Sequence, residues 1–174
     1  IWLSALLTLA LAASPVQAAG GVSDPERLTS HPALEYAGSP SADGRFLAFV
    51  SEQNGNADIW LKSLTAGVSS LPRPLTTHPG KDTAPALNEN GSSLLYVSYR
   101  SDPRGDIYLL DVPTGKETRL TNERHGDLAP AWGGDKAIYF LREQENSGDR
   151  SLVRLSLRTG AIEPIIERVT SYAV

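Results

Sequence analysis

The sequence predicts an all-β fold, a β-propeller built of four-stranded blades, and three observations carry that prediction. The first is a repeat. "ADIWLKSLTAGVSSLPRPLT", 57–76, shares its skeleton with "GDIYLLDVPTGKETRLT", 105–121: Asp-Ile-aromatic-Leu, a Gly turn, an Arg, then Leu-Thr. The second is the length of the repeat, near 45 residues, which suits a propeller blade of four short strands. The third is periodicity. Beyond the N-terminal apolar run, no window keeps the apolar spacing of a helix.

Three units line up, at 27–73, 74–118 and 119–167, and 168–174 reads as the start of a fourth. Pro40, Pro85 and Pro130 fall 45 residues apart, and the Leu-Thr pairs at Leu28, Leu75 and Leu120 fall 47 and then 45 apart. In each unit the proline marks the first strand. A turn at Asp43-Gly44, Asn90-Gly91 or Gly133-Gly134 leads to the second strand, "FLAFVS", "LLYVS" or "AIYFL". These runs are rich in the aromatic and β-branched residues that suit a pleated, buried surface. A polar loop precedes the third strand, "DIWLKSL", "DIYLLDV" or "SLVRLSL". Turns at Gly67, Gly115 and Gly160 lead to the fourth strand, which closes on Leu-Thr or, in the last unit, on Ile165-Ile166. Propellers close at about four to eight blades, and an open array leaves its end faces and edge strands uncovered. Three units therefore predict a truncated ring.

The N-terminus predicts export. Residues 1–13 are apolar, no charge precedes Asp24, and Val16-Gln17-Ala18 supplies the small-x-small pattern of a signal peptidase site. The run is too short to span a bilayer, so 1–18 is expected to be a signal peptide and 19–26 a linker, with no stable membrane span once the signal is removed. The chain opens on Ile1, without a start Met or a basic segment, and is expected to continue upstream. Composition narrows the chemistry. The 174 residues carry 16 Lys+Arg against 20 Asp+Glu, a net charge of -4 with no basic block, which argues against a nucleic-acid partner. No cysteine is present, which excludes disulfides, thiolate metal sites, thiol catalysis and a lipid-modified cysteine.

The segments "SPSADGRFLAFVS…DIW", "APALNENGSSLLYVS…DIY" and "APAWGGDKAIYFL" resemble the repeat of the TolB-like propellers over roughly residues 27–167. In that pattern Trp132 is the surviving tryptophan, with Ala42 and Leu87 at the matching positions, and Ser151 replaces the Asp of the third copy. The α/β domain that precedes the propeller in TolB itself has no room between Ala18 and Arg27, so the resemblance is to the propeller alone. It implies a periplasmic or secreted, non-catalytic module that binds a protein or peptide in the cell envelope. Secreted serine peptidases similar to prolyl oligopeptidase carry the same repeat ahead of an α/β-hydrolase domain. The alternative is therefore the N-terminal propeller of such a peptidase, with its catalytic domain elsewhere.

The candidate chemistry is sparse. No G-x-S-x-G, P-loop, strand-borne G-x-G-x-x-G or H-E-x-x-H occurs, so no catalytic set, metal site or cofactor is expected. His31, His78 and His125 each lie between a Leu-Thr pair and the next first strand, in loops that share one face of a propeller. A binding face is expected there, made by His31, Glu35, His78, Lys81, Arg124 and His125. Neighbouring blades lie too far apart for their histidines to share one zinc ion, whose Zn–N bonds are about 2.0–2.1 Å. Asp58, Asp82, Asp106 and Asp127 recur at equivalent places, which predicts turn-forming carboxylates that accept backbone N–H bonds. The aromatics Trp60, Tyr96, Tyr108, Trp132 and Tyr139 are expected to pack blade against blade. "REQENSGDRS" reads as a solvated charged loop.

Overall fold

The computed structural model describes residues 27–65, 70–134, 136–145 and 147–169. The expected signal peptide and linker, the turn at Gly67 and most of the fourth unit lie outside the described residues. Within them the chain forms twelve strands and no helix. Blade 1 consists of β1 (Glu35–Pro40), β2 (Phe46–Ser51), β3 (Asp58–Ser63) and β4 (Arg73–Pro74). Blade 2 consists of β5 (Asp82–Leu87), β6 (Ser93–Ser98), β7 (Asp106–Asp111) and β8 (Lys116–Arg119). Blade 3 consists of β9 (Gly126–Trp132), β10 (Ala137–Glu143), β11 (Arg150–Ser156) and β12 (Ile162–Val169).

Each blade is a separate antiparallel sheet whose strands pair in chain order. The first strands β1, β5 and β9 lie beside one another along the inner edge, and β4, β8 and β12 are the outer edges. The three sheets form an open arc, not a closed ring. The faces between the sheets hold the core. One cluster joins Ala48, Val50, Ile59 and Leu61 of blade 1 to Leu94, Tyr96, Tyr108 and Leu110 of blade 2. The other joins Leu95, Val97 and Ile107 of blade 2 to Ile138, Phe140, Val153 and Leu155 of blade 3. Alternate residues of β6 thus serve opposite interfaces, which is why the central strand reads as a continuous apolar run rather than an alternating one. Side chains as fully buried as Tyr96, Leu95 and Phe140 each contribute about 1.5–3 kcal/mol.

The repeated Asp-Ile-aromatic and Leu-Thr fragments explain each other. The hydroxyl of Thr76 accepts the backbone N–H of Ile59 at 2.9 Å, and that of Thr121 accepts the N–H of Ile107 at 2.9 Å. The Leu-Thr that closes the outer strand therefore locks the start of the third strand of the same blade, through a buried bond. Gly91 shows how closely the blades approach. Its backbone has φ +72°, and a Cβ there would sit 2.5 Å from the Phe46 ring.

The first strands carry the same irregularity in every blade. Register shifts fall between Tyr36 and Ser39, between Thr83 and Ala86, and opposite Tyr139–Leu141 of β10. Ala37, Ala84 and Ala129 stand there with φ of 52°, 49° and 49°, a conformation that costs a non-glycine residue on the order of 1–3 kcal/mol. These three bulges fix the true alignment of the units. Pro85 and Pro130 each follow the bulge alanine, but the residue in that place in blade 1 is Gly38. Pro40 instead shares the place of Leu87 and Trp132: all three pair with the start of the second strand, at Leu47, Leu94 and Ile138. The expected equivalence of three prolines, and of Ala42 with Trp132, is therefore corrected by two residues. Blade 1 is longer between its third strand and its closing Thr, with 18 residues from Asp58 to Thr76 against 15 from Asp106 to Thr121, so a constant spacing misplaces its first strand.

Candidate functional site

Antiparallel pairing places two sets of loops at one end of every sheet. In blade 2, Asp82 of β5 pairs with Ser98 of β6, which pairs with Asp106 of β7. The loop entering β5 and the loop joining β6 to β7 therefore emerge together. The same holds for Glu35, Ser51 and Asp58 in blade 1 and for Asp127, Arg142 and Ser151 in blade 3.

Hydrogen bonds between blades join these loops into one surface. The Asn56 amide donates to the carbonyls of His78 and Gly80 at 3.0 and 3.3 Å. Arg104 donates to the Arg124 carbonyl at 2.6 Å and to Glu145 at 3.0 Å. Beneath them, Asp82 N–H donates to the Ala57 carbonyl at 2.8 Å, and Asp127 N–H to that of Gly105 at 3.0 Å.

All six expected face residues lie at this end. His31, His78, Lys81 and Arg124 are exposed; Glu35 and His125 are half-buried. They do not form a ring of like groups. His31 Nδ1 accepts Ala33 N–H at 3.1 Å and His78 Nδ1 accepts Gly80 N–H at 2.9 Å, so both close local turns. His125 differs: its Nδ1 is buried without a hydrogen-bond partner. Register explains the difference, because it is Glu123, not His125, that stands four residues before the strand acid, where His78 stands in blade 2. Among the described residues no group of His, Asp and Glu side chains has the arrangement of a metal site.

The four aspartates are buried at strand starts, at 3% exposure for Asp58 and 0% for Asp82, Asp106 and Asp127. The oxygens of Asp82, Asp106 and Asp127 face guanidinium groups. Arg142 donates from Nε and Nη2 to the two oxygens of Asp127 at 2.8 and 3.0 Å, and from Nη1 to Glu123 at 2.7 Å. Arg119 donates to Asp106 at 2.8 Å. Arg100 lies 3.5 Å from Asp82 and also donates to Glu117 and to the Tyr96 hydroxyl. Asp58 and Asp82 oppose each other across the first blade interface, and burial, followed by the Asp82 charge, pushes the Asp58 carboxyl up. Burial also raises Asp82; the Ser98 and Thr76 hydroxyls and Arg100 pull the other way, but no hydrogen bond closes on its oxygens. Asp106 is raised by burial against the pull of Arg119.

Tyr96, Arg100 and Glu117 form a network that sequence reasoning missed. Tyr96 donates to Glu117 at 2.8 Å, and burial followed by that carboxylate raises its pKa. Burial alone would raise Glu117, but the Arg100 and Tyr96 hydrogen bonds hold it below its ordinary value. Arg142 was missed as well. It begins the charged run that reads as solvated loop, yet it is the last-but-one residue of β10 and only 8% exposed. The available signal was an arginine immediately after the apolar run "AIYFL", still in strand register.

Fold and face together define a β-propeller module with an interlocked loop surface, and the solved structures it resembles are those of TolB-like propellers. A TolB-type structure from Agrobacterium tumefaciens superimposes with a TM-score of 0.69 at 18% identity, over 80% of this chain and 51% of that one. TolB from Acinetobacter baumannii gives 0.65 at 22% identity, over 83% of this chain and 34% of that one. A puromycin-hydrolysing peptidase from Mycobacterium tuberculosis gives 0.60 at 18% identity, over 79% of this chain and 22% of that one. At these identities the likeness shows the fold. The chain spans about half of the first structure and a third of the second. No family model matches the sequence, and no curated protein does.

Proposed function

We propose that this chain is a non-catalytic propeller module of the periplasm or the cell exterior, which binds a protein or peptide of the cell envelope through the loop end of its blades. The observation that carries this reading is the latching of each blade's loops onto the next, through Asn56 and Arg104. A surface already fixed in shape loses little freedom on binding. His31, His78, Lys81 and Arg124 stand exposed on it, together with Leu34, which is 60% exposed. Export is supported by the leader-like residues 1–18, and the envelope setting by the likeness to TolB propellers.

Photo-crosslinking residues placed at Lys81 and Arg124, and at Thr114 and Thr159 on the opposite end, test this in an intact envelope fraction. Discrete adducts from the first pair alone are expected. Equal adducts from both ends, or none from the loop end, would overturn the reading. A second reading, the entry propeller of a secreted peptidase, is favoured by the superposition on the Mycobacterium tuberculosis enzyme. It requires adducts to a hydrolase domain of the same gene product, and those would replace a partner protein as the captured species.

A further inference from the structure

The three blades place a cross-strand pair at one position, and the pair is aromatic in only two of them. Phe49 faces Trp60 in blade 1, Tyr96 faces Tyr108 in blade 2, and Phe140 faces Val153 in blade 3. Blade 2 shows how the second ring is held. Tyr108 stands 5.7 Å from the Tyr96 ring, with the Arg100 guanidinium 4.6 Å from its centroid and Ser101 Oγ 2.9 Å from its phenol oxygen. The adjoining outer-strand residue is Glu117 in blade 2, paired with Leu110, and Ile162 in blade 3, paired with Leu155. Blade 3 therefore lacks a ring and a carboxylate where blade 2 has both.

A cavity of about 570 Å³ occupies that place, with Val153, Ile162 and Pro164 in its apolar wall. The volume falls within the range of about 300–1,000 Å³ typical of ligand sites. Arg142 and His125 line it as well. Arg142 is held by Asp127 and Glu123, with its guanidinium 5.4 Å from the Phe140 centroid. It thus does for Phe140 what Arg100 does for Tyr96. The buried Nδ1 of His125 has no hydrogen-bond partner. Four carboxylates, Glu123, Asp127, Asp149 and Glu167, stand in or behind the wall against two guanidiniums, Arg142 and Arg168, so the surroundings are net acidic.

We propose that this cavity is a subsite for an aromatic side chain, tyrosine foremost, carried on a basic segment of the bound protein or peptide. The inference rests on the binding reading above and names what that binding recognises. The guest ring lies beside Val153 and against the guanidinium of Arg142, as Tyr108 lies against Arg100. A guanidinium already fixed by two carboxylates offers its face without further ordering. The phenol hydroxyl meets the polar side chains of Gln144 and Ser151, which also line the cavity. The acidic surroundings favour lysine or arginine on either side of the ring. A buried aromatic in such a pocket is the usual form of an interface anchor.

The probe is the blocked pentapeptide acetyl-Lys-Lys-Tyr-Lys-Lys-amide, titrated into the full chain and followed by amide chemical shifts. Shifts confined to Ser151, Val153, Ile162 and their neighbours are expected. Replacing the probe's Tyr by Ala should weaken binding roughly tenfold or more, and replacing its lysines by Glu should weaken it further. Val153→Tyr gives blade 3 the ring that blade 2 already has, and should abolish the shifts. If that variant fails to fold, Ile162→Trp serves as the second plug. Equal affinity for the Tyr and Ala probes, shifts centred on blades 1 and 2, or full binding by a folded plug variant would each overturn the subsite. Loss of the subsite with crosslinks still formed at Lys81 and Arg124 leaves the loop-face reading standing. A working subsite without those crosslinks removes that reading and keeps this one.

Discussion

Blades 2 and 3 share a strand frame but satisfy it with different side chains. Both open on a fully buried acid, Asp82 or Asp127, and both bring a guanidinium to it. In blade 2 the guanidinium is that of Arg100, beyond the end of β6, and it lies against two adjacent tyrosine rings and pairs with Glu117. In blade 3 it is that of Arg142, within β10, and it takes both oxygens of Asp127 at close range. The frame thus fixes the acid and requires a nearby cation, but not the position from which the cation comes. Because Arg142 reaches the acid directly, blade 3 needs neither the second ring nor Glu117. What blade 2 fills with its own tyrosine, blade 3 leaves as a cavity.

The sharpest way to break that comparison is Arg142→Ala. It strands Asp127 at 0% exposure without a counter-charge, and a buried ion left unpaired costs about 3–5 kcal/mol. Urea unfolding should show that loss, and adding Asp127→Asn should restore part of it. A loss near zero would mean that the acid draws its support elsewhere. Next comes Tyr108→Val, which gives blade 2 the residue that blade 3 carries at that position. Tyr108 is 6% exposed and packs on Tyr96, Leu94 and Leu110, so removing its ring should cost about 2–4 kcal/mol in the same assay. A cost no larger than that of an exposed substitution would show that the ring fills space without supporting the blade.

The sequence displays the blades more clearly than what lies between them. Apolar runs such as "LLYVS" and "AIYFL" and the Gly turns locate the second and third strands, because burial on both faces leaves a continuous signature. The first strands are harder. Their bulges at Ala37, Ala84 and Ala129 demand φ near +50°, and nothing in the side chain of alanine announces it; two prolines after the bulge and a third elsewhere then suggest a false register. Recurrence of Asp58, Asp82, Asp106 and Asp127 is legible, but their partners are not. Arg100, Arg119 and Arg142 come from different strand positions, so no spacing links acid to base. Val153 is the most informative residue of blade 3, yet it looks like ordinary strand until register sets it beside Trp60 and Tyr108.

The smallest expected effect concerns Asp58, which forms no ion pair with an arginine among the described residues. It meets Asp82 across the first blade interface, and burial, with that like charge, raises the Asp58 carboxyl above its ordinary 3.8. A carboxyl raised by folding holds its proton more tightly in the native state than in the unfolded one. Its stabilising contribution is complete below pH 3.8 and is lost as pH climbs through the raised value. Asp58→Asn removes the charge and keeps the shape. At neutral pH the variant should equal or exceed the parent in stability, because the parent must carry a buried charge there that the amide does not. On acidification the gap should close, because protonation then does for the parent what the substitution does for the variant. A pH series of urea unfolding curves measures this directly. If the parent proves the more stable at neutral pH, Asp58 is held there by a favourable partner, and the two blade interfaces are electrostatically alike after all.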